Sequence, residues 1–201
     1  MGDGEKIVSN VSPLGYILGD EGSGAVLGKR LVGDCLKNQL PERIRQSFLE
    51  ETQLTPAEII DKVYRQPQAN RFLASLTPFL SAHREEPAIR TLLISCFTDF
   101  FQRNVMQYNY PACEVHFTGS IAWYFQEEVK EVFFVKPFPT LFNNITLLSP
   151  FLATLCHVTF YSEVVILSID DNLGFESLSV FPKTIQPFNG RARKGMQVLP
   201  A

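Results

Sequence analysis

The sequence predicts an α/β fold in which helices outnumber strands. Between Gly24 and Val132, most segments place apolar residues three and four positions apart, which is the spacing of a helix with one buried face. Two short segments, residues 5–10 and 114–118, instead show the alternation or the β-branched and aromatic content of strands. More strand than helix over residues 5–132 would contradict this fold class.

Start signals place the helices in order along the chain. The first helix follows Gly24 to about residue 38, and the second opens at Pro41. The segment Thr55-Pro56-Ala57-Glu58 supplies an N-cap, a proline at the first helical position and a capping-box glutamate for the third. Helical spacing then covers residues 69–83, 86–105 and about 120–132. Within 86–105, three phenylalanines share one helix face and predict core packing: Phe97, Phe100 and Phe101.

Length and charge limit the function classes. A chain of 201 residues fits one domain, or one lobe with a tail, and can bury a substantial core. The net charge of −3 and the absence of a cluster of basic and aromatic residues argue against nucleic acid as a partner.

The four cysteines are scattered without a C-x-x-C pair, and the first residues show no signal peptide. We therefore expect buried, reduced thiols and a cytoplasmic protein. The three histidines lie far apart and have no nucleophile partner in a known motif, so we expect each to be structural or solvated.

The segment from Gly15 to Arg30 combines an acidic pair and clustered glycines with the start of a helix, and it is the strongest candidate for a binding site. Asp20 and Glu21 can accept hydrogen bonds from a polyol, and the glycines beside them let main chain approach a ligand closely. A helix begins directly afterwards, and its N-terminus favours an anion. This combination suits a sugar beside a phosphate, although an acidic pair at a helix start can also simply complement the helix dipole.

Two common glycine motifs do not fit this segment. A P-loop requires glycine where Ser23 stands and a hydroxyl residue where Arg30 follows Lys29. A dinucleotide fingerprint requires G-x-G-x-x-G, but the glycines at 22, 24 and 28 are spaced one residue wider. Neither nucleotide-binding motif is therefore predicted here.

A second candidate site lies where the strand 114–118 ends. Thr118-Gly119-Ser120 forms a strand, glycine turn and helix start, in which a bare glycine leaves room for a base and ribose. Taken alone, these three residues are typical of an ordinary structural turn.

Together, these motifs resemble the BadF/BadG/BcrA/BcrD-type ATPase family, in particular its N-acetylglucosamine kinase branch. Residues 12–24, with the run Gly19-Asp20-Glu21-Gly22-Ser23-Gly24, look like the sugar-site loop of that family, and residues 115–122 look like its adenosine motif. The resemblance covers about residues 3–132 and matches only the C-terminal half of the family. It implies the C-terminal lobe of an actin-like ATPase (ribonuclease H-like) fold.

The resemblance implies an ATP-dependent sugar kinase that transfers phosphoryl to a sugar hydroxyl, with Mg²⁺ beside ATP. Gly19, Asp20 and Glu21 would bind the sugar, and Thr118, Gly119 and Ser120 would bind the nucleotide. The family carries its general base and phosphate loops in the N-terminal half, so no catalytic residue and no metal ligand is assigned here. We therefore expect the chain alone to be inactive.

Several alternatives stay open at this point. The chain could work with an N-terminal lobe supplied by another chain, or as a dimer. It could also be a non-catalytic lobe that binds a ligand or partner, or an inactive gene fragment.

Residues 133–201 differ in composition from residues 1–132, which indicates a second region. They hold nine of the 17 phenylalanines, and no Asp, Glu, Lys or Arg occurs from Pro137 to Ser162. Prolines, asparagines and hydroxyl residues interrupt this run, which argues against a membrane span. We interpret the region as an atypical tail that is either not native to the family or disordered.

Overall fold

The computed structural model describes residues 10–108, 113–135, 142–148, 164–168 and 179–181. Helices dominate the described residues. They are α1 Gly15–Leu18, α2 Gly24–Leu36, α3 Glu42–Thr52, α4 Pro56–Tyr64, α5 Ala69–Ala74, α6 Thr77–Ala82, α7 Pro87–Arg103, α8 Ser120–Tyr124 and α9 Gln126–Val135, with a short 3₁₀ helix at Val105–Tyr108.

The described strands form one four-stranded sheet with the order β2-β1-β3-β4. Its strands are β1 Cys113–Thr118, β2 Phe142–Leu148, β3 Val164–Ser168 and β4 Ser179–Phe181. Strand β1 is parallel to both neighbours, and Val115 lies opposite Ile145 on one side and Val165 on the other. Strand β4 is antiparallel to β3.

The predicted strand at 114–118 is therefore present as β1, in the interior of the sheet. The predicted strand at 5–10 lies outside the described residues, apart from Asn10, which is not in a strand. Residues 10–108 contain no strand, so the mixed character predicted for residues 5–132 depends on β1.

Helix α4 begins with the predicted capping box. The Thr55 hydroxyl accepts a hydrogen bond from the Glu58 backbone N–H at 3.3 Å, and the Glu58 carboxylate accepts one from the Thr55 N–H at 2.8 Å. The hydrogen bond from the Thr55 backbone holds the pKa of Glu58 below its usual value. Local chemistry alone sets this helix start, which explains why the sequence predicted it.

Two predicted helices are each divided in the structure. Residues 69–83 form α5 and α6, because Pro78 has no N–H to continue the first helix and instead stands in the first turn of the second. The helix expected over 120–132 is α8 followed by α9, which continues to Val135 past the predicted boundary at residue 132. Between them lies Phe125, whose buried ring is 6.1 Å from that of Phe97.

Helix α7 lies at the centre of the core, and the predicted packing of its phenylalanines is confirmed. Phe97 and Phe101 are fully buried, and Phe100 is nearly so. The ring of Phe101 lies 5.6 Å from Phe117 in β1 and 5.9 Å from Phe133 in α9, measured between ring centroids. The face of α7 therefore joins the sheet to the last described helix.

An ion pair between the half-buried Arg84 and the buried Glu128 connects the turn before α7 to α9. Glu128 is 1% exposed, and its two oxygens accept from Nε and Nη2 of Arg84 at 3.1 and 2.7 Å. The same Nη2 donates to the carbonyl of Tyr124 at 2.8 Å, and the guanidinium lies 5.7 Å from the centroid of the Phe125 ring. All of these contacts depend on one arginine.

We expect Arg84→Met to lower the free energy of unfolding by about 3–5 kcal/mol, because the carboxylate of Glu128 would stay buried without its partner. Urea denaturation measures the loss, and adding Glu128→Gln to the same protein should recover part of it. The matched control is Arg43→Met, which removes an exposed pair with Glu86 and should cost no more than about 1 kcal/mol. Equal losses in both variants would contradict the interpretation.

Candidate functional site

Residues 13–23, called here the acidic loop, lead into helix α2 with an unusual backbone conformation. Leu14, Gly15, Asp20 and Gly22 all have positive φ, at 62, 75, 54 and 80°. This left-handed region is uncommon for residues other than glycine, although aspartate tolerates it better than most. An aspartate held there indicates that the surrounding structure dictates its conformation.

Main-chain hydrogen bonds hold this loop in place. The Gly19 N–H donates to the Gly15 carbonyl and the Asp20 N–H to the Pro13 carbonyl, both at 2.7 Å, while the Ser23 N–H donates to the Asp20 carbonyl at 3.0 Å. The Ser23 hydroxyl then caps α2 by accepting from the Val26 N–H at 3.3 Å. Hydrogen bonds of its own backbone therefore contribute to the order of the loop without a ligand.

The glycines of the loop have packing roles, which corrects part of the sequence interpretation. A Cβ at position 19 would lie 2.0 Å from the carbonyl oxygen of Pro13, and one at position 22 would lie 3.0 Å from the ring of Phe100. The space beside these two glycines is therefore filled by the protein itself. Their identity is explained by this close packing and by the positive φ of Gly22, without a ligand.

Asp20 lies half-buried within this rigid loop. Burial raises the pKa of its carboxyl group above the usual value, and the charge of Glu21 adds to this effect. A hydrogen bond from the backbone of Gly15 and the charge of Lys29 act in the opposite direction without cancelling it. A carboxylate that lacks full solvation gains from additional hydrogen-bond donors, and sugar hydroxyls can supply them.

Glu21 lies in a different environment from its neighbour. Its Oε1 accepts from Nη1 of Arg103 at 2.6 Å, and its Oε2 accepts from Nδ2 of Asn104 at 3.2 Å. The Glu21 side chain is 13% exposed, and Asn104 is buried at the end of α7. Both carboxylate oxygens of Glu21 therefore already have protein partners.

Sequence reasoning missed both Arg103 and Asn104. They lie 82 and 83 positions from Glu21, and no local pattern connects residues so far apart. The only signal in the sequence is the complementary charge of Arg103, which many other basic residues share.

The second predicted site lies at the end of β1. Gly119 has a φ of 110°, and its carbonyl accepts the Trp123 N–H at 3.1 Å as α8 begins at Ser120. Gly119 and Ser120 are both half-buried. The predicted order of strand, glycine turn and helix start is therefore present, with Thr118 as the last residue of the strand.

Phe100 lies between the two candidate sites. Its ring contacts the position of Gly22 in the acidic loop, and its centroid lies 6.0 Å from that of Phe117, two residues before Gly119. The C-terminal half of α7 therefore supports both the acidic loop and the strand that leads to the glycine turn.

His83, Cys35 and Cys96 have structural surroundings, whereas the side chains of Cys113 and His116 and the whole of Cys156 and His157 lie outside what the structure describes. His83 pairs with Glu51 at 2.9 Å and packs against the ring of Phe79. Cys35 and Cys96 are buried free thiols, and burial raises the pKa of Cys96 to about 12. Over residues 10–108 and 113–135 and the three described strands that follow, no three acidic, histidine or cysteine residues cluster as a metal site would require.

No helix within the described part of the chain combines the length and the apolar character needed to cross a bilayer.

A search of family models finds no match to the sequence. No curated protein matches it either. Among solved structures, it is similar to a crystal structure of a protein from Porphyromonas gingivalis named "Putative N-acetylglucosamine Kinase". The two are 46% identical with a TM-score of 0.67, and the match covers 73% of this chain and 51% of the other.

This chain therefore resembles a sugar kinase in both sequence and structure, as the motifs predicted, and it spans about half the length of the protein it matches.

We expect Asp20→Asn to be more stable than the wild type at pH 7. Because the pKa of Asp20 is raised in the folded protein, the native state holds this proton more tightly than the unfolded state, and stability is lost as pH rises through the folded pKa. Asparagine tolerates the same left-handed conformation without this penalty. Urea denaturation should show the difference at pH 7 and its disappearance at about pH 3, below the usual carboxyl pKa.

Glu58→Gln is the control of opposite sign for this measurement. The pKa of Glu58 is lowered, so this variant should be less stable than the wild type at pH 7, and the difference should also vanish in acid. If the difference in unfolding free energy between Asp20→Asn and the wild type did not change with pH, the carboxylate of Asp20 would carry no burial penalty.

Proposed function

We propose that this chain is the sugar-binding lobe of an ATP-dependent amino-sugar kinase with an actin-like ATPase fold. The reaction would transfer the γ-phosphoryl group of ATP to a hydroxyl of N-acetylglucosamine. The support is the resemblance of the two motifs to that family and the 46% identity to the structure from P. gingivalis. The match covers 51% of that protein, so the proposal concerns the role of this lobe in the reaction.

The observation that carries the sugar-binding role is the state of Asp20. Its backbone is held in a left-handed conformation by hydrogen bonds to Pro13 and Ser23, and its carboxyl group is partly desolvated. A preorganised carboxylate of this kind binds hydroxyl donors without first having to be ordered. Sugars are recognised by a few such placed polar groups.

ATP would lie against Gly119 and Ser120, with Thr118 at the strand end, as the family resemblance implies. Gly119 has no side chain and is only half-buried, so part of its main chain remains open at the turn. Mg²⁺ commonly binds to substrate phosphates with few protein ligands, and the described residues form no acidic cluster for it. We therefore propose that Mg²⁺ arrives with the nucleotide, held by its phosphates.

A second candidate function is a binding lobe without catalysis of its own. The observation in its favour is that the match covers 51% of the kinase-like structure. Under this proposal, a partner chain or a second copy supplies what phosphoryl transfer needs, or the lobe only binds its ligand. Transfer depends on positioning and charge stabilisation from both sides of a cleft, so half of a site would lose most of the rate.

We expect the 201-residue chain to bind N-acetylglucosamine in isothermal titration calorimetry. Asp20→Ala should weaken binding at least tenfold, about 1.4 kcal/mol, because the sugar would lose its placed carboxylate. The matched control is Asp99→Ala, which removes an exposed aspartate of α7 and should leave the affinity unchanged. Equal weakening by both variants, or no binding by the wild type, would contradict the sugar-binding role.

We also expect no steady phosphorylation of N-acetylglucosamine by this chain with ATP and Mg²⁺. A coupled assay on the purified protein measures turnover, and heat-denatured protein sets the background. Turnover above that background which disappears in Asp20→Ala would show that the chain is a complete catalyst, and would rule out the binding-lobe proposal.

A further inference from the structure

We propose that Glu21 is a positioning residue and not a ligand of the sugar. In this proposal, Glu21, Arg103 and Asn104 form a clamp, called here the Glu21 clamp, that fixes the loop and thereby the direction of Asp20. The inference deepens the proposed function and rests on it for the identity of the sugar. It divides two adjacent carboxylates into one that holds the ligand and one that holds the loop.

The hydrogen bonds of Glu21 are the first argument. Arg103 and Asn104 each take one of its carboxylate oxygens, at 2.6 and 3.2 Å. The bond from Arg103 is charge-assisted and therefore stronger than a neutral one. A sugar hydroxyl that displaced Asn104 from Glu21 would leave a buried amide unpaired, which is unfavourable.

The backbone on either side of Glu21 is the second argument. Asp20 and Gly22 on either side of Glu21 both have left-handed φ. This φ costs glycine nothing, but it is uncommon for aspartate, so the surrounding structure must hold Asp20 there. The Asn104 N–H donates to the Phe100 carbonyl at 3.0 Å, and the ring of Phe100 packs against Gly22. The end of α7 thus supports the loop through the side chain of Glu21 and through the surface next to it.

A second tie holds the chain that enters the loop. The Val11 N–H donates to the hydroxyl of Tyr108 at 2.9 Å, and Tyr108 lies five residues beyond Arg103. Segment 11–21 is therefore attached at both ends to residues 103–108. This arrangement indicates a preorganised loop, in which ordering is complete before the ligand binds.

Sugar binding distinguishes a clamp from a direct ligand. With N-acetylglucosamine as the probe in calorimetry, Glu21→Ala and Arg103→Met should each weaken binding at least tenfold. The double variant should bind the sugar as tightly as the single variant with the lower affinity, because the two substitutions remove the same interaction. Arg103→Lys keeps the charge and should recover part of the loss.

If Glu21 were instead a ligand, Arg103→Met would free its carboxylate and binding would be retained. That result, or additive losses in the double variant, would overturn the proposal. Arg90→Met is the matched control. Arg90 lies in α7, as Arg103 does, but it pairs with Glu131 of α9, so its loss should not change the affinity.

Amide hydrogen exchange tests the clamp without any ligand. The N–H groups of Asp20 and Ser23 bond within the loop, and Arg103→Met should accelerate their exchange at least fivefold. The Ile59 N–H in α4 serves as the internal reference for global unfolding and should not change. The side chain of Arg103 is 66% exposed, so we expect this variant to fold.

The two tests separate the clamp from the proposed function. Unchanged exchange at Asp20 and Ser23 in Arg103→Met would overturn the clamp whether or not the sugar binds. Accelerated exchange in a protein that binds no N-acetylglucosamine would support the clamp and reject the sugar.

Discussion

The structure depends above all on the aromatic packing at the C-terminal half of α7. Phe101 contacts the strand β1 through Phe117 and the helix α9 through Phe133, while Phe100 contacts Phe117 and the glycine at position 22. Buried aromatic side chains contribute large apolar areas, and a cluster tolerates little displacement of one member. Any movement of this helix end would therefore reach both candidate sites.

The two adjacent carboxylates of the acidic loop, Asp20 and Glu21, have different electrostatic surroundings. Two carboxylates in adjacent positions would repel each other, but the surroundings treat them differently. Glu21 forms an ion pair with Arg103 at the end of α7, whereas Asp20 is partly desolvated and has a backbone N–H as its partner. A group that gains from extra hydrogen-bond donors and is already held in place is suited to binding a polyol, at some cost to the stability of the loop.

The similarity to a kinase-like structure gives this arrangement its context. The fold is shared over 73% of this chain, with a TM-score of 0.67. About half of that other protein has no counterpart in the match, and phosphoryl transfer needs groups on both sides of the substrates.

The sequence by itself determined the features that depend on neighbours within about four residues. The capping box at Thr55, the buried face of α7 with Phe97 and Phe101, and the strand β1 were all predicted, because local hydrogen bonds and periodicity specify them. Only the tertiary structure decided that Glu21 pairs with a residue 82 positions away, and that the helix predicted over 120–132 divides at Phe125, whose ring is buried. Those outcomes depend on which surfaces meet after folding, and no local pattern in the chain records that.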